Sequence, residues 1–320
     1  MARGVISPGF WSHRQMIAAA QAVQNPAYIG QHVSTAAGPL GGNRKKGCVS
    51  KMKYAILSDV HSNYDAFDSV LRRCAEMKID RYLFLGDLVG YNAEPARCMA
   101  LAREVEFLAA VRGNHDEYVV SGNTEQAGFN SNATIAIKWT RTQLSDDDMD
   151  YLDALPLRAT VPDTPITLVH ATLDSPETWG YIFDAHHAVA SLTYQRTQLC
   201  FCGHSHVPVA FDKAPLAVGR KLVERIDTWE SNFAYPEADT DFSLADELPV
   251  QLEKGHKYLF NIGSIGQPRN GDPRSSFAVY DDEAQTVTRY RQPYDVAAAQ
   301  EKVRAAGLPE RLAFRLGVGH

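Results

Sequence analysis

Five short stretches of this chain carry side chains that bind metal ions. They are Asp59-Val60-His61, Gly86-Asp87, Gly113-Asn114-His115-Asp116, His170 and Gly203-His204-Ser205-His206. Each follows an apolar run that reads as a β-strand. Carboxylates, imidazoles and an amide oxygen together form a mixed donor set, better suited to manganese, iron or zinc than to magnesium alone. Two such ions held close are a device for cleaving phosphate esters: they make hydroxide available near neutral pH and neutralise phosphate oxygens. Alone, each stretch would read as a solvated turn, because Asn, Asp and Gly favour turns. Their joint occurrence at successive strand ends is what points to a binuclear metal centre.

Residue type suggests the division of labour. Two neighbouring ions need a shared anionic ligand, and Asp87, which follows a strand and has room beside Gly86, is the natural bridge. Asp59 and His61 alternate on what reads as an extended segment, so they should face one ion together. His204 and His206 alternate in the same way and could serve different ions. Asn114 offers a neutral oxygen, which limits the negative charge in front of an anionic substrate. His115 should project elsewhere and is free for proton transfer.

These residues need elements to hold them. Tyr54–Ser58, Arg81–Leu85 and Glu106–Val111 read as strands, separated by a helical stripe over Asn63–Met77 and a helix near Glu94–Ala102. That alternation predicts an α/β fold with parallel pairing. In such sheets ligands bind at the carboxyl ends of the strands, where all five stretches fall. Further on, a helix is expected over 130–141. Another follows the Ser145/Asp148 capping box, and a hairpin over Leu157–Val161 and Ile166–Val169 leads into His170. Leu199–Cys202 leads into Gly203. Tyr258–Ile262, Ser276–Tyr280 and Thr286–Tyr290 are the last strands, and Asp295–Ala306 is a closing helix with Gly307 beyond it.

Composition sets bounds. The chain has 320 residues, 45% hydrophobic and 22% charged, as in ordinary globular proteins. A net charge of -6 and a pI near 6.0 argue against an extended nucleic-acid surface or an anionic-membrane surface. No apolar run approaches the ~20 residues a membrane helix needs. Five cysteines, an odd number in a chain that is not a small secreted domain, make a disulfide framework unexpected and suit a reducing cytoplasm. Residues 1–51 mix Gly, Pro, Ser, Gln and basic side chains and read as a disordered extension, or as an upstream start that is not the natural one. The acidic segment over about 214–254, with Pro236 and Pro249, reads as an insertion or hairpin lobe.

The order D-x-H, G-D, G-N-H-[DE], H and G-H-x-H resembles the calcineurin-like metallophosphoesterase superfamily over roughly Met52 to Leu316. The run Asn261-Ile262-Gly263-Ser264-Ile265-Gly266-Gln267-Pro268-Arg269 is similar to its small prokaryotic phosphodiesterase branch. The resemblance implies a four-layer α/β/β/α sandwich spanning 52–320. It implies one ion on Asp59, His61, Asp87 and His206, and another on Asp87, Asn114, His170 and His204. It makes His115 the acid or transition-state stabiliser, with Asn114 and Asp87 beside it in the catalytic set. One departure stands out. Protein phosphatases and symmetrical dinucleotide tetraphosphatases of the superfamily carry an Asp-Arg soon after Gly-Asp, whereas this chain reads Leu88-Val89-Gly90-Tyr91-Asn92. The group that orients His115 and the arginine that grips phosphate are therefore not evident.

Other residues compete for roles. Arg269 and Arg274 bracket a Gly/Pro-bounded loop and could clamp phosphate bidentately, or could simply be ion-paired at the surface. Cys200 and Cys202 read as core packing. His186-His187 reads as a solvated helix start, and Trp179-Gly180-Tyr181 as loop packing or a stacking wall. The function expected is hydrolysis of a small-molecule phosphodiester by in-line attack of a metal-bridging hydroxide, with two divalent ions (manganese, iron or zinc) as cofactors. Phosphomonoester or phosphoprotein hydrolysis is the alternative within enzymes. A binding scaffold of the same fold is disfavoured because every ligand is present. Oligomeric state is left open.

Overall fold

The strand-like runs resolve, in a computed structural model that describes residues 51–123, 130–218, 221–228 and 247–320, into two six-stranded sheets. The extension expected over 1–51 lies, except for residue 51, outside the described residues. In the first sheet, β1 (Lys53–Leu57) pairs in parallel with β2 (Arg81–Phe84), and β2 with the short β3 (Ala109–Ala110). On its other side β1 pairs antiparallel with β11 (Ser275–Asp281), followed by β12 (Thr286–Gln292) and β9 (Glu247–Gln251). The second sheet runs β4 (Arg158–Thr160), β5 (Ile166–Val169), β6 (Leu199–Cys202), β10 (Lys257–Asn261), β7 (Val209–Val218) and β8 (Lys221–Thr228). Its β5–β6 and β6–β10 pairs are parallel.

Alternating side chains explain the layering. Along β1, Tyr54 and Ile56 face the second sheet, and meet Leu168, Phe201 and Phe260 in a core between the sheets. Ala55 and Leu57 face the other way, against Phe67, Val70 and Cys74 of helix α1 (Tyr64–Glu76). Along β6, Cys200 and Cys202 point outward onto Ala188 and Leu192 of helix α6 (Ala185–Tyr194). The result is helix, sheet, sheet, helix, as expected. Both cysteines are buried core residues, and His186 and His187 are exposed.

The remaining helices are α2 (Pro95–Glu104), α3 (Asn114–Ser121), α4 (Ser131–Arg141), α5 (Asp146–Asp153), α7 (Val296–Ala305) and α8 (Glu310–Val318). Ser145 and Asp148 form the anticipated capping box on α5. Two features depart from the sequence reading. The third strand shrinks to Ala109–Ala110, and the Gly-Asn-His-Asp stretch opens α3. A further helix, α8, follows the one expected to close the chain. Within the segment read as an insertion or hairpin lobe, among the described residues, β7 and β8 form a hairpin in the second sheet, and β9 pairs with β12 at the edge of the first.

Candidate metal centre and substrate cavity

All five stretches converge at the carboxyl ends of the strands. Asp59 and His61 follow β1, Asp87 follows β2, Asn114 begins α3, His170 follows β5, and His204 and His206 follow β6. The side chains of Asp59, His61, Asp87, Asn114, His115, His170, His204 and His206 are all buried. The expected extended geometry at Asp59/His61 and His204/His206 is corrected by the backbone. These residues have φ of 54°, 49°, 68° and 61°, and Asp87 has 58°. Left-handed φ is costly for non-glycine residues and gathers where surrounding structure enforces a site. These side chains face inward because the chain is coiled tightly, held by bonds such as Asp59 N–H to Gly86 O (3.0 Å) and His61 N–H to Asp87 O (2.9 Å).

Two donor clusters result. Asp59, His61, Asp87 and His206 place one donor atom each within 4.8 Å of one another, and so do Asp87, His170 and His204. Asp87 belongs to both. Its Oδ2 lies 3.5 Å from His61 Nε2 and 3.3 Å from His170 Nε2, yet accepts no hydrogen bond. Asp59 Oδ1, 3.2 Å from His206 Nε2, is likewise without a hydrogen-bond partner. His61 Nε2 and His206 Nε2 face each other at 3.0 Å. Asn114 Oδ1 lies 3.2 Å from His170 Nε2. Buried acceptors left unsatisfied are costly, and converging lone pairs repel unless a cation lies among them. The donor set therefore fits divalent ions.

The backbone orients these donors. His61 Nδ1 contacts Val89 O (3.2 Å), His170 Nδ1 contacts Leu85 O (2.8 Å), and His206 Nδ1 contacts Gln267 O (2.6 Å). With the proton on Nδ1, each Nε2 lone pair is turned inward, as in many metal sites. His204 is reversed: Nε2 contacts Trp179 O at 2.9 Å, which turns Nδ1 to the cluster. Asp116, unused in the sequence reading, is a buried brace. Its Oδ2 accepts from Asp87 N–H (2.8 Å) and Gly113 N–H (3.0 Å), and its Oδ1 from Leu88 N–H (2.9 Å).

Electrostatics follow from that packing. Burial alone would raise the Asp59 carboxyl, but His206 and His61 outweigh it and hold it well below the usual range. Asp87 is also held low, since His170 and His115 overcome its desolvation. Burial pushes His206 down to about 3, helped by Arg269, and His204 down to about 3, helped by His170. Asp87 overcomes burial at His170 and lifts it to about 9. His204 and His206 are thus neutral with a lone pair to donate, whereas His170, with no cation beside it, is held protonated against Asp87.

A cavity of about 130 Å³ opens above the clusters, walled in part by Asp87, Asn114, His115, His204 and His206. His115 packs against the Tyr91 ring (4.3 Å between centroids) and edge-on to His61 (4.7 Å). Gly90 and Tyr91, from the stretch where no Asp-Arg was found, pack against this ring. Arg269 lines the same cavity, held by Tyr91 Oη and Gln267 Oε1, each 3.2 Å from Nη2. Arg274 does not line it: the buried Asp272 carboxylate engages its Nε (3.1 Å) and Nη2 (2.8 Å). Tyr181 does form a wall, stacked on His204 at 4.2 Å. Arg315 of α8 and Asn130, which caps α4, also line the cavity and were not anticipated. The signal was there for α8: Leu312 and Leu316, spaced by one turn behind Pro309, are buried beside Val303 of α7.

Residues 52–224 match the model of the calcineurin-like phosphoesterase superfamily domain. The chain is 32% identical over 271 residues to the uncharacterized protein MJ0912 of Methanocaldococcus jannaschii, covering 84% of this chain and 99% of that one. A metallophosphoesterase of Sphaerobacter thermophilus superposes with a TM-score of 0.67 at 33% identity, covering 84% of this chain and 100% of that one. The hypothetical protein PH1004 of Pyrococcus horikoshii shares the fold, with a TM-score of 0.62 at 18% identity over 84% and 98% of the two chains. With the motif order, the paired donor clusters and these relatives in agreement, the chain belongs to the calcineurin-like superfamily of metal-dependent phosphoesterases.

Proposed function

We propose that this protein hydrolyses a small-molecule phosphodiester with two divalent ions. One is held by Asp59, His61, Asp87 and His206, the other by Asp87, Asn114, His170 and His204. The observation that carries this reading is the Asp87 carboxylate. Its Oδ1 is taken by His115 N–H (2.8 Å), while Oδ2 stands without a hydrogen bond between His61 and His170. Imidazole, carboxylate and amide donors suit manganese, iron or zinc. When bound, such ions supply hydroxide near neutral pH and neutralise the phosphate.

The side chains do the rest. Arg269 donates from its guanidinium to a non-bridging phosphate oxygen, a charge-assisted bond for which Tyr91 and Gln267 hold it ready. Burial pushes the His115 imidazole well below its ordinary value. It is therefore neutral, and stabilises the leaving oxygen by hydrogen bonding from a ring N–H rather than as a preformed imidazolium. Tyr181 presents an exposed ring beside His204 against which an ester arm can lie. No helix among the described residues is long and apolar enough to cross a membrane. The described cysteines are free and buried, which fits work in the cytoplasm.

Arg269 favours a second reading, monoester hydrolysis, because a monoester dianion asks for more positive charge than a diester. The test compares kcat/KM of the manganese-loaded protein for bis(4-nitrophenyl) phosphate and 4-nitrophenyl phosphate. The diester should be the better substrate. A faster monoester, with the order reversed by Arg269→Ala, would establish the second reading instead.

A further inference from the structure

We propose that the cavity continues into a distal anion subsite, built on Arg315 and Asn130, that takes a second phosphate group on one arm of the substrate. The inference rests on the phosphoesterase reading of the metal centre. It narrows the substrate class to esters whose organic arm carries a phosphate of its own.

Space comes first. The cavity over the metal ligands, about 130 Å³, is below the roughly 300–1,000 Å³ of most small-molecule sites. A second cavity of about 1030 Å³ shares two of its lining residues, Asn130 and Arg315. The two cavities therefore adjoin at these two side chains, on the side where a substrate arm can extend.

Charge comes next. Arg269 and Arg315 line the same small cavity, and their side-chain hydrogen bonds among the described residues go to Tyr91, Gln267 and His320 rather than to an Asp or Glu side chain. Arg315 donates from Nε to the backbone oxygen of His320, and Arg269 uses Nη2 on two neutral oxygens. Arg269 Nε is buried and has no partner. Burial and the like charge of Arg269 push Arg315 down to about 10. Two guanidinium groups lining one small cavity offer positive charge and N–H donors to a bound anion. Arg274, by contrast, is neutralised within the fold by Asp272. In a chain of net charge -6, this concentration of positive groups is local to the cavity.

Geometry separates the two arginines' roles. The backbone N–H of Arg269 reaches His206 O at 3.4 Å, and its side chain lines the small cavity with Asp87, His204 and His206, which puts this residue beside the proposed scissile phosphate. Arg315 stands on α8, whose residues 311, 314, 315 and 318 form one helical face along the second cavity. On that face Arg311 adds a further cation, while Phe314 and Val318 are 60% and 38% exposed and offer an apolar wall. Opposite, Asn130 caps α4 by accepting from Ala133 N–H (2.9 Å), and Ser131 and Asn132 of that helix's first turn line the cavity. A helix N-terminus adds partial positive charge to a site already made by the arginines. An organic group on the apolar wall, flanked by two phosphates, matches this arrangement.

The test uses a matched pair of chromogenic diesters: thymidine 5′-(4-nitrophenyl phosphate) and the same molecule bearing a 3′-phosphate. Their scissile groups are identical. The manganese-loaded protein should favour the 3′-phosphorylated ester in kcat/KM by about 10–100-fold, the scale of one or two charge-assisted hydrogen bonds. Arg315→Gln should reduce that preference at least about tenfold, and Arg315→Lys should restore part of it. Asn130→Asp keeps the helix cap but brings negative charge, and should also reduce the preference. Equal rates on the two esters in the wild type, or a preference untouched by both Arg315→Gln and Asn130→Asp, overturns the subsite. If neither ester is cleaved, the phosphodiesterase reading fails separately. The subsite is then judged by calorimetric titration of thymidine 3′,5′-bisphosphate against thymidine 5′-monophosphate. Tighter binding of the bisphosphate, lost in Arg315→Gln, upholds it, and equal affinities overturn it.

Discussion

Gly90 has φ of +94°, and a Cβ there would lie 2.5 Å from His115 Nδ1, so any larger residue is both strained and in contact with the ring proposed to assist the leaving group. Gly90→Ala should therefore lower kcat while leaving metal content unchanged, which turnover and metal analysis of the same sample will check. Removing the ring itself is the sharper experiment. His115→Ala should retain both ions and slow hydrolysis by about 10²–10⁴-fold. The loss should be greater for a methyl ester than for 4-nitrophenolate, which leaves without help; equal losses would remove the leaving-group role. At this scale the sequence was highly legible. Every candidate ligand named from its type is buried in one of the two donor clusters or beside them, because the donor atoms of Asp, His and Asn are fixed by residue type. The tight left-handed turns that aim Asp59, His61, His204 and His206 were not legible, since φ there is imposed by neighbouring loops such as Gly86–Leu88.

Among the elements, the loop between β10 and β11 links the candidate metal centre to the cavity above it. Ser264 Oγ donates to Asp59 O (2.8 Å), Gln267 O meets His206, and Arg269 enters the cavity. The far end of the loop is fixed by Asp272, buried between Arg274 and Arg291, and by Gly271 N–H to Gly319 O (2.8 Å) just past α8. Asp272→Asn leaves two buried guanidinium groups short of their counter-charge and should cost about 3–5 kcal/mol of stability, read from urea unfolding at pH 7. Burial raises Asp272, but Arg274 and Arg291 prevail and hold it below the usual range. Its stabilisation is thus present above the unfolded carboxylate value of about 3.9 and is lost as pH falls through the folded value. The gap between wild type and variant should narrow in acid; a gap that widened would contradict the ion pair. Strands and amphipathic helices such as α1 were legible from periodicity alone. Arg274 was not, because its partner two residues away decides its role, and α8 was short enough to be passed over.

For the whole molecule, the two sheets bury their facing side chains in one core and leave the carboxyl ends of β1, β2, β5 and β6 to share a single rim. That convergence turns five unremarkable stretches into two donor clusters with one common carboxylate. The central claim is therefore that Asp87 joins two ions in one catalytic unit. Its direct test is metal content and turnover measured together on wild type and Asp87→Asn after loading with manganese. The account predicts two ions per wild-type chain, with hydrolysis of bis(4-nitrophenyl) phosphate. It predicts fewer than two ions in Asp87→Asn, with turnover abolished. A variant that kept two ions per chain and the wild-type rate would contradict it.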